Sequence, residues 1–123
     1  MAVFRSVLTV SSVALVKSAS VALLVLLAST SVLATRADLA RARSLYNQRQ
    51  FDGAILAALA AQKTPATQDA ATVVLARAHL ERYRESANPA DLTAARTALG
   101  TVRVSSLDAR DHIYFLMALG CMP

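Results

Sequence analysis

Residues 46–62 read YNQRQFDGAILAALAAQ, and this stretch indicates most clearly how the chain folds. Its apolar residues recur with the period of an α-helix, so they share one helix face: Phe51, Ala54, Ile55, Ala58 and Leu59. Small Ala54 and Ala58 let two helix axes approach to the short end of the usual range of about 8–10 Å, while larger side chains fill the gaps. The stretch predicts a helix packed closely against a neighbour, with Gln62 and Lys63 outside the packed face.

The rest of the sequence after residue 34 is also typical of helices. Glycine and proline are sparse, and runs of β-branched residues are nearly absent. Periodicity predicts five helices, at about 36–48, 51–63, 67–86, 90–103 and 107–120. Because the connections between them are short, consecutive helices are expected to lie antiparallel as hairpins.

Three predicted helices begin with a capping pattern, in which a residue with a short polar side chain is followed three residues later by aspartate. The first side chain can accept hydrogen bonds from free amides of the opening turn. The carboxylate three residues later can accept from the backbone N–H of that first residue, and it lies at the positive end of the helix dipole. The three pairs are Thr35 and Asp38, Asn88 and Asp91, and Ser105 and Asp108.

The third predicted helix is apolar on two sides. One stripe consists of Val73, Ala76, Leu80 and Tyr83, and a second consists of Ala71, Leu75 and Ala78. The fourth helix has a single stripe, made of Leu92, Ala95, Leu99 and Val102. A helix that is apolar on two sides is packed from two sides, so the third helix is expected to contact both its own hairpin partner and a neighbouring hairpin.

An internal repeat links the hairpins. Ala42-Arg43 recurs as Ala76-Arg77, 34 residues later. Four apolar residues of the second helix recur in the fourth helix at an offset of 41: Phe51, Ala54, Ala58 and Ala61 correspond to Leu92, Ala95, Leu99 and Val102. The two offsets differ by about two helical turns, which we assign to the end of the third helix and the connection after it. The pattern predicts a stack of helix hairpins.

The segment SLYNQRQFDGAILAALAAQKTP, residues 44–65, resembles the tetratricopeptide repeat. The resemblance rests on the small Ala42 of the first helix, an aromatic Phe51 opening the second, the Ala-Ile pair after it and the closing Pro65. The tryptophan that this family often carries early in the first helix is missing. The resemblance implies an all-α fold of antiparallel helix-hairpin repeats, an α-solenoid of about two and a half units. The residues expected to pack the repeats are Ala42, Phe51, Ala54, Ile55, Ala58, Ala76, Leu92, Ala95 and Leu99.

The resemblance also implies a binding surface, because the first helices of such repeats line a concave groove. Arg43 and Arg77 occupy matching places in successive first helices, and Tyr46 and Asn47 would share their surface. A guanidinium group can hold a carboxylate with two parallel hydrogen bonds, so the expected ligand is a protein or peptide with an acidic or carboxylate-ended segment. The alternative is that both arginines are surface residues that only aid solubility.

The N-terminal 34 residues resemble an export signal. They carry only Arg5 and Lys17 as charges, followed by the uncharged run SASVALLVLLASTSVLAT. The small residues at its end predict cleavage after Ala34, which would divide the chain into a signal, 1–34, and a repeat domain, 35–123. The alternative is an uncleaved membrane anchor. In both cases the domain is expected outside the cytoplasmic membrane, either periplasmic or secreted, or tethered and facing outward.

The sequence offers no sign of catalytic chemistry. His79 and His112 have no second ligand at a metal-binding spacing, and Cys121 is the single cysteine. Glu81 and Glu85 lie among arginines and are interpreted as surface charges. We therefore predict a protein that is not an enzyme and has no cofactor or metal. Residues 35–123 contain eleven Lys and Arg against eight Asp and Glu, and this net charge of +3 without aromatic-basic interleaving does not predict nucleic-acid binding.

The last predicted helix is unusually apolar: Ile113, Tyr114, Phe115, Leu116, Met117 and Leu119 fall within seven positions, and no polar capping helix follows. This predicts uncovered apolar surface, and hence either self-association or further repeats in a longer parent chain. Two functions are expected from the whole sequence. The first is an exported scaffold for protein-protein interaction, and the alternative is a membrane-tethered structural or assembly factor that contacts the membrane only through residues 1–34.

Overall fold

The computed structural model describes Thr30 and residues 33–123 of the chain. The prediction of an all-α protein is confirmed for these residues, which contain helices and no β-strand. The helices are α1, described over 33–47, α2 (Phe51–Ala61), α3 (Pro65–Ser86), α4 (Pro89–Thr101) and α5 (Ala109–Gly120), with a short 3₁₀ turn, Val104–Ser106, before α5. Their bounds differ from the predicted bounds by a few residues.

The chain divides into two compact units, Met1–Leu33 and Ala34–Pro123, and the helices analysed below belong to the second unit. The predicted export signal lies almost entirely outside the described residues. No helix among the described residues has the length and apolar character needed to cross a membrane.

The start of α1 differs from its prediction. Residues 33–35 are already helical, so Thr35 lies within the helix and the prediction that Thr35 caps it is wrong. A Thr-x-x-Asp pattern is a local signal, and it marks a helix start only where the preceding residues leave the helix.

The start of α4 follows its prediction in part. The Asn88 side chain accepts a hydrogen bond from the backbone N–H of Ala90 at 3.0 Å, and Pro89 takes the first helical position. Asp91 does not complete the capping pair, because its carboxylate is buried against His79 of α3, with Nδ1 2.8 Å from Oδ1. The residue predicted to cap the helix therefore joins two helices instead.

The start of α5 lies three residues later than Ser105. Ser105 belongs to the 3₁₀ turn, and Asp108 itself caps the helix by accepting from the backbone N–H of Asp111 at 2.8 Å. The prediction that Ser105 caps α5 is therefore wrong, because Asp108, the aspartate of the same pair, provides the cap. The turn is held to α3 by Asp69, whose carboxylate accepts from Ser106 Oγ at 2.6 Å and from Arg103 Nη2 at 3.0 Å.

Helix α3 lies at the centre of the described unit and packs against α2, α4 and α5. The prediction that it is packed from two sides is confirmed, because both of its stripes are buried apart from the half-buried Tyr83. The residues expected to pack the repeats are all buried except Leu92, which is half-buried. The core is rich in alanine, so its helices lie close together.

The packed face of α2 is rotated from the predicted face. Ala54 and Ala58 are fully buried as expected, but Leu59 is 45 % exposed and Ala57 is buried in its place. Leu59 follows Phe51 by eight residues, and the helix period turns such a pair by about 80°. Leu59 therefore lies at the edge of the face that α3 covers.

The end of α2 also corrects the prediction that Gln62 lies outside the packed face. Gln62 is half-buried, and its Nε2 donates a hydrogen bond to Thr72 Oγ1 of α3 at 2.7 Å. Thr72 in turn donates to the carbonyl of Gln68 at 2.7 Å. A polar chain therefore runs along the α2–α3 contact, next to its alanines.

Candidate functional site

The candidate site is a surface formed by α1, α3 and α5, with one side chain from each at its centre. The guanidinium carbon of Arg77, from α3, lies 4.2 Å from the ring centroid of Tyr46 on α1 and 4.0 Å from that of Tyr114 on α5. Both distances are well within the range in which an aromatic ring attracts a cation. The arginine therefore lies over both rings, and the three helices meet there; we call these three side chains the Arg77 stack.

Tyr46 contacts Phe51 and Glu81 in addition to Arg77. Its ring meets the Phe51 ring edge-on at 5.6 Å, and its hydroxyl donates to Glu81 Oε1 at 3.4 Å. Burial raises the pKa of the Tyr46 phenol above its usual value; the Arg77 cation opposes this shift and the Glu81 carboxylate adds to it. The phenol therefore stays neutral and available as a hydrogen-bond donor throughout the physiological pH range.

Arg43 and Asp111 form an ion pair between α1 and α5. Arg43 Nη2 donates to both carboxylate oxygens of Asp111, at 2.9 and 2.7 Å. The Asp111 side chain is only 4 % exposed, whereas Arg43 is 31 % exposed. The guanidinium that the sequence predicts to hold a ligand carboxylate thus already holds a carboxylate from its own chain.

On one side of the Arg77 stack lies a small basic cleft. All four residues predicted for the groove line this cleft, namely Arg43, Tyr46, Asn47 and Arg77, and they are joined there by Val74, Arg110 and Tyr114. None of these lining residues is acidic. Arg110 is exposed and has no ion-pair partner within the described part of the chain. With Arg43 neutralised by Asp111, the cleft retains the positive charges of Arg77 and Arg110.

On the other side of the stack lies a second cleft, lined by apolar and charged residues together. It shares Tyr46 and Arg77 with the first cleft and is completed by Leu80, Glu81, Arg84, Met117, Ala118 and Cys121. Its charged rim is already paired, because Arg84 Nη1 donates to Glu81 Oε1 at 2.9 Å. The Glu81 carboxylate holds the pKa of the Arg84 guanidinium above its usual value. We call the two clefts together, with the stack between them, the groove.

Sequence reasoning missed the two α5 residues of the basic cleft, Arg110 and Tyr114. A signal was available for Tyr114 but not for Arg110, which the 34-residue step aligns with Ala76. One further step leads from Arg77 to Asp111, and two such steps lead from Tyr46 to Tyr114. The same step that aligned the first two helices therefore places an aspartate and a tyrosine on the third.

The remaining charged clusters join helices outside the groove. Asp91 contacts His79, and Arg82 Nε lies 3.6 Å from the same carboxylate, which ties α3 to α4.

His112 is exposed on α5. No group of three His, Cys, Asp or Glu side chains able to hold a metal ion occurs among residues 33–123.

Comparison with known proteins gives no match: neither a protein-family model, nor a curated protein, nor a solved structure is similar to the chain. The resemblance to the tetratricopeptide repeat therefore depends on the residues quoted above.

Proposed function

We propose that this chain is a non-catalytic scaffold of the tetratricopeptide type, and that its groove binds an acidic segment of another protein. The observation that carries the proposal is the stack of Arg77 between Tyr46 and Tyr114. It gathers one side chain from each of α1, α3 and α5, the three helices that would be the first helices of successive repeats.

Two features support a repeat arrangement. Helices α1 and α2 form one unit, α3 and α4 form a second, and α5 begins a third, with α3 packed against α2, α4 and α5. The 34-residue step relates Arg43, Arg77 and Asp111, and these side chains occupy neighbouring places on one surface.

The stack prepares Arg77 for an anionic ligand. Two aromatic rings lie close to the guanidinium and limit its rotation, and its N–H groups can still donate hydrogen bonds to a ligand. A carboxylate that enters the basic cleft would meet this plane and the unpaired Arg110. Because the donors are already oriented, binding costs little side-chain entropy.

Arg43 has a positioning role in this proposal. Its bond to the buried carboxylate of Asp111 fixes the distance between α1 and α5, and so sets the spacing of the two tyrosines that hold Arg77. The contacts to ligand come instead from Arg77 and Arg110, with Asn47 at the rim of the cleft.

The proposal is tested with two fluorescein-labelled peptides, one of alternating Glu and Leu and one in which Gln replaces Glu, added to the full chain in mild detergent. Fluorescence anisotropy should show that the Glu peptide binds more tightly and that salt weakens it. Arg77→Gln should weaken binding at least about tenfold, as expected for a shielded charged hydrogen bond. Arg41→Gln is the matched control, because Arg41 is exposed on α1 and outside the groove.

Equal binding by the Arg77→Gln and Arg41→Gln variants would reject the groove. A preference for the Gln peptide would reject its proposed charge selectivity.

The alternative function, a membrane-tethered assembly factor, is favoured by one observation. Helix α1 runs without a break through Leu33, Ala34 and Thr35, where cleavage is expected. Proteolysis prefers exposed, irregular segments, so a helix at this position would have to unwind before it is cut. Sizing the membrane-bound and secreted chain on a gel separates the two proposals: a shortened chain indicates export with cleavage, and a full-length chain in the membrane fraction indicates a tether.

A further inference from the structure

The outward face of α5 is apolar. Ile113, Leu116, Met117 and Leu119 are each between 40 % and 58 % exposed, whereas Phe115 and Ala118 on the opposite face are buried. Ile113, Leu116 and Met117 have the i, i+3, i+4 spacing of a packing seam, and Gly120 continues it one turn later. We call the four exposed apolar residues, Ile113, Leu116, Met117 and Leu119, the α5 seam. The described residues leave the α5 seam uncovered.

The α5 seam is unlike the other exposed apolar residues of the unit. On α2 only Leu56 and Leu59 are exposed, and Val104 stands alone in the turn before α5. Exposed apolar residues that occur singly are ordinary, but a continuous apolar stripe on a helix is typical of a protein-protein contact.

The charges of α5 indicate which partner fits the seam. The exposed charges and the exposed His112 all lie at its N-terminal end, with Asp108 and Arg110, and no charged residue occurs from 113 to 123. In an antiparallel pair of α5 helices, each charged end lies beside the uncharged C-terminal end of the other. Arg110 then approaches the C-terminal end of the partner helix, where the helix dipole favours a cation. A parallel pair would instead place Arg110 against Arg110.

We propose that a second copy of this chain covers the α5 seam, through an antiparallel contact between two α5 helices related by a two-fold axis near Leu116 and Met117. The same apolar residues face each other across such an axis, so the surface is complementary to itself. Four half-exposed side chains from each copy make a contact smaller than a standard interface, and the dimer is therefore weak and depends on protein concentration.

The dimer does not require a bound peptide, but its contact lies next to the groove. Met117 belongs to the α5 seam and also lines the second cleft of the groove, so the two grooves would lie on either side of the contact. A partner with two acidic segments could bind both grooves and gain avidity without any new contact.

The test uses the full chain in mild detergent and single cysteines placed along α5. In an antiparallel pair centred between residues 116 and 117, two Cys121 residues are separated by about 14 Å along the helix axes. This exceeds the distance that a disulfide can span. Leu116→Cys in a Cys121→Ser background places two thiols close to the axis. Mild oxidation should therefore give a covalent dimer of the Leu116→Cys chain and little dimer of the natural Cys121 chain.

Leu56→Cys, also in the Cys121→Ser background, is the matched control, because Leu56 is an equally apolar and exposed residue on α2. Dimer formation through Cys121 as readily as at residue 116 would show a parallel contact, in which every residue of α5 lies opposite its own copy, and would overturn the proposal. Equal cross-linking at residues 56 and 116 would show unspecific association and overturn it as well.

A second measurement does not depend on disulfide geometry. Leu116→Ser should reduce the dimer fraction in sedimentation velocity at least about tenfold at a fixed concentration, while Leu56→Ser should leave it unchanged. Both substitutions replace an exposed side chain, so folding is maintained in each. Anisotropy with the Glu peptide then distinguishes the two proposals, because the monomeric Leu116→Ser chain keeps Arg77 and the basic cleft and should still bind the peptide.

Discussion

Two contacts between helices, one between α2 and α3 and one between α1 and α5, are made by different kinds of side chain. Along α2 the contact is made by small apolar residues, and Ala54, Ala58 and Ala61 are fully buried there. Across the groove, α1 and α5 are joined by charged side chains, through the pair of Arg43 and Asp111 and the stacked Arg77. We refer to these as the alanine contact and the charged contact.

The difference follows from distance along the chain and in space. Helices α2 and α3 are joined by a short connection and lie side by side, so small residues suffice to bring them together. Helices α1 and α5 are far apart in the sequence, and the long side chain of Arg43 reaches from one to the other. The alanine contact therefore depends on shape, whereas the charged contact depends on the pairing of two particular residues.

The largest effect is expected at the charged contact. Arg43→Met should lower the free energy of unfolding by about 3 kcal/mol, because it leaves the Asp111 carboxylate buried without a counter-charge. Asp111→Leu should cost only about 1 kcal/mol, because Arg43 is partly exposed and can regain water. Urea unfolding followed by circular dichroism measures both.

The double variant Arg43→Met with Asp111→Leu is the control for this pair. It replaces both charges with apolar groups and should recover most of the stability that Arg43→Met loses. If Arg43→Met costs no more than Asp111→Leu, the charged contact does not depend on the buried carboxylate.

At the alanine contact, Ala58→Leu should cost about 1–3 kcal/mol, because a fully buried alanine leaves no room for three more carbons. Ala40→Leu is the control, since Ala40 is exposed on α1 and the same enlargement there should change stability by less than about 0.5 kcal/mol. Thermal unfolding compares the two. Equal losses would contradict the close approach of α2 and α3.

The carboxylate of Asp69 holds the turn before α5, and its contribution to stability can be measured by lowering the pH. Burial acts to raise the pKa of its carboxyl, but hydrogen bonds from Ser106 and Arg103 outweigh burial and lower it below the usual value near 3.8. The stabilisation is therefore complete above the pKa of the unfolded chain and is lost as the pH falls below about 4 through the lower folded pKa.

Asp69→Asn should cost about 1–2 kcal/mol at pH 7, since a charged acceptor with several donors is lost. The variant should also lose less stability than the natural chain between pH 4 and pH 2, which thermal unfolding over that range would show. A parallel decline of both chains would assign the acid sensitivity to other carboxylates.

The smallest effect concerns the polar chain beside the alanine contact. Gln62→Ala should cost about 1 kcal/mol, because it removes the hydrogen bond to the buried Thr72 hydroxyl. Lys63→Ala, next in sequence and exposed, should stay within about 0.5 kcal/mol. If chemical unfolding does not separate the two variants, the alanine contact is stabilised by apolar packing alone.

The sequence predicted most of the fold and part of the candidate site. The two stripes of α3 and the cap at Asn88 were correct, since periodicity and capping are properties of neighbouring residues. Four residues of the basic cleft were identified from a repeat and a resemblance. Tyr114 was missed because the 34-residue step was not continued to α5, and Arg110 was missed because this step aligns it with Ala76. Ser105 was predicted to cap α5, but Asp108 caps it instead.

The sequence by itself determined that residues after 34 form helices and that α3 is packed from two sides. Each of these follows from the order of apolar and polar residues within a few helical turns. Only the tertiary structure decided what the charged residues contact. Asp91 binds His79 instead of capping its own helix, and Arg43 binds Asp111, 68 residues away. A carboxylate accepts from any donor within reach, and which donor is within reach depends on how distant helices pack.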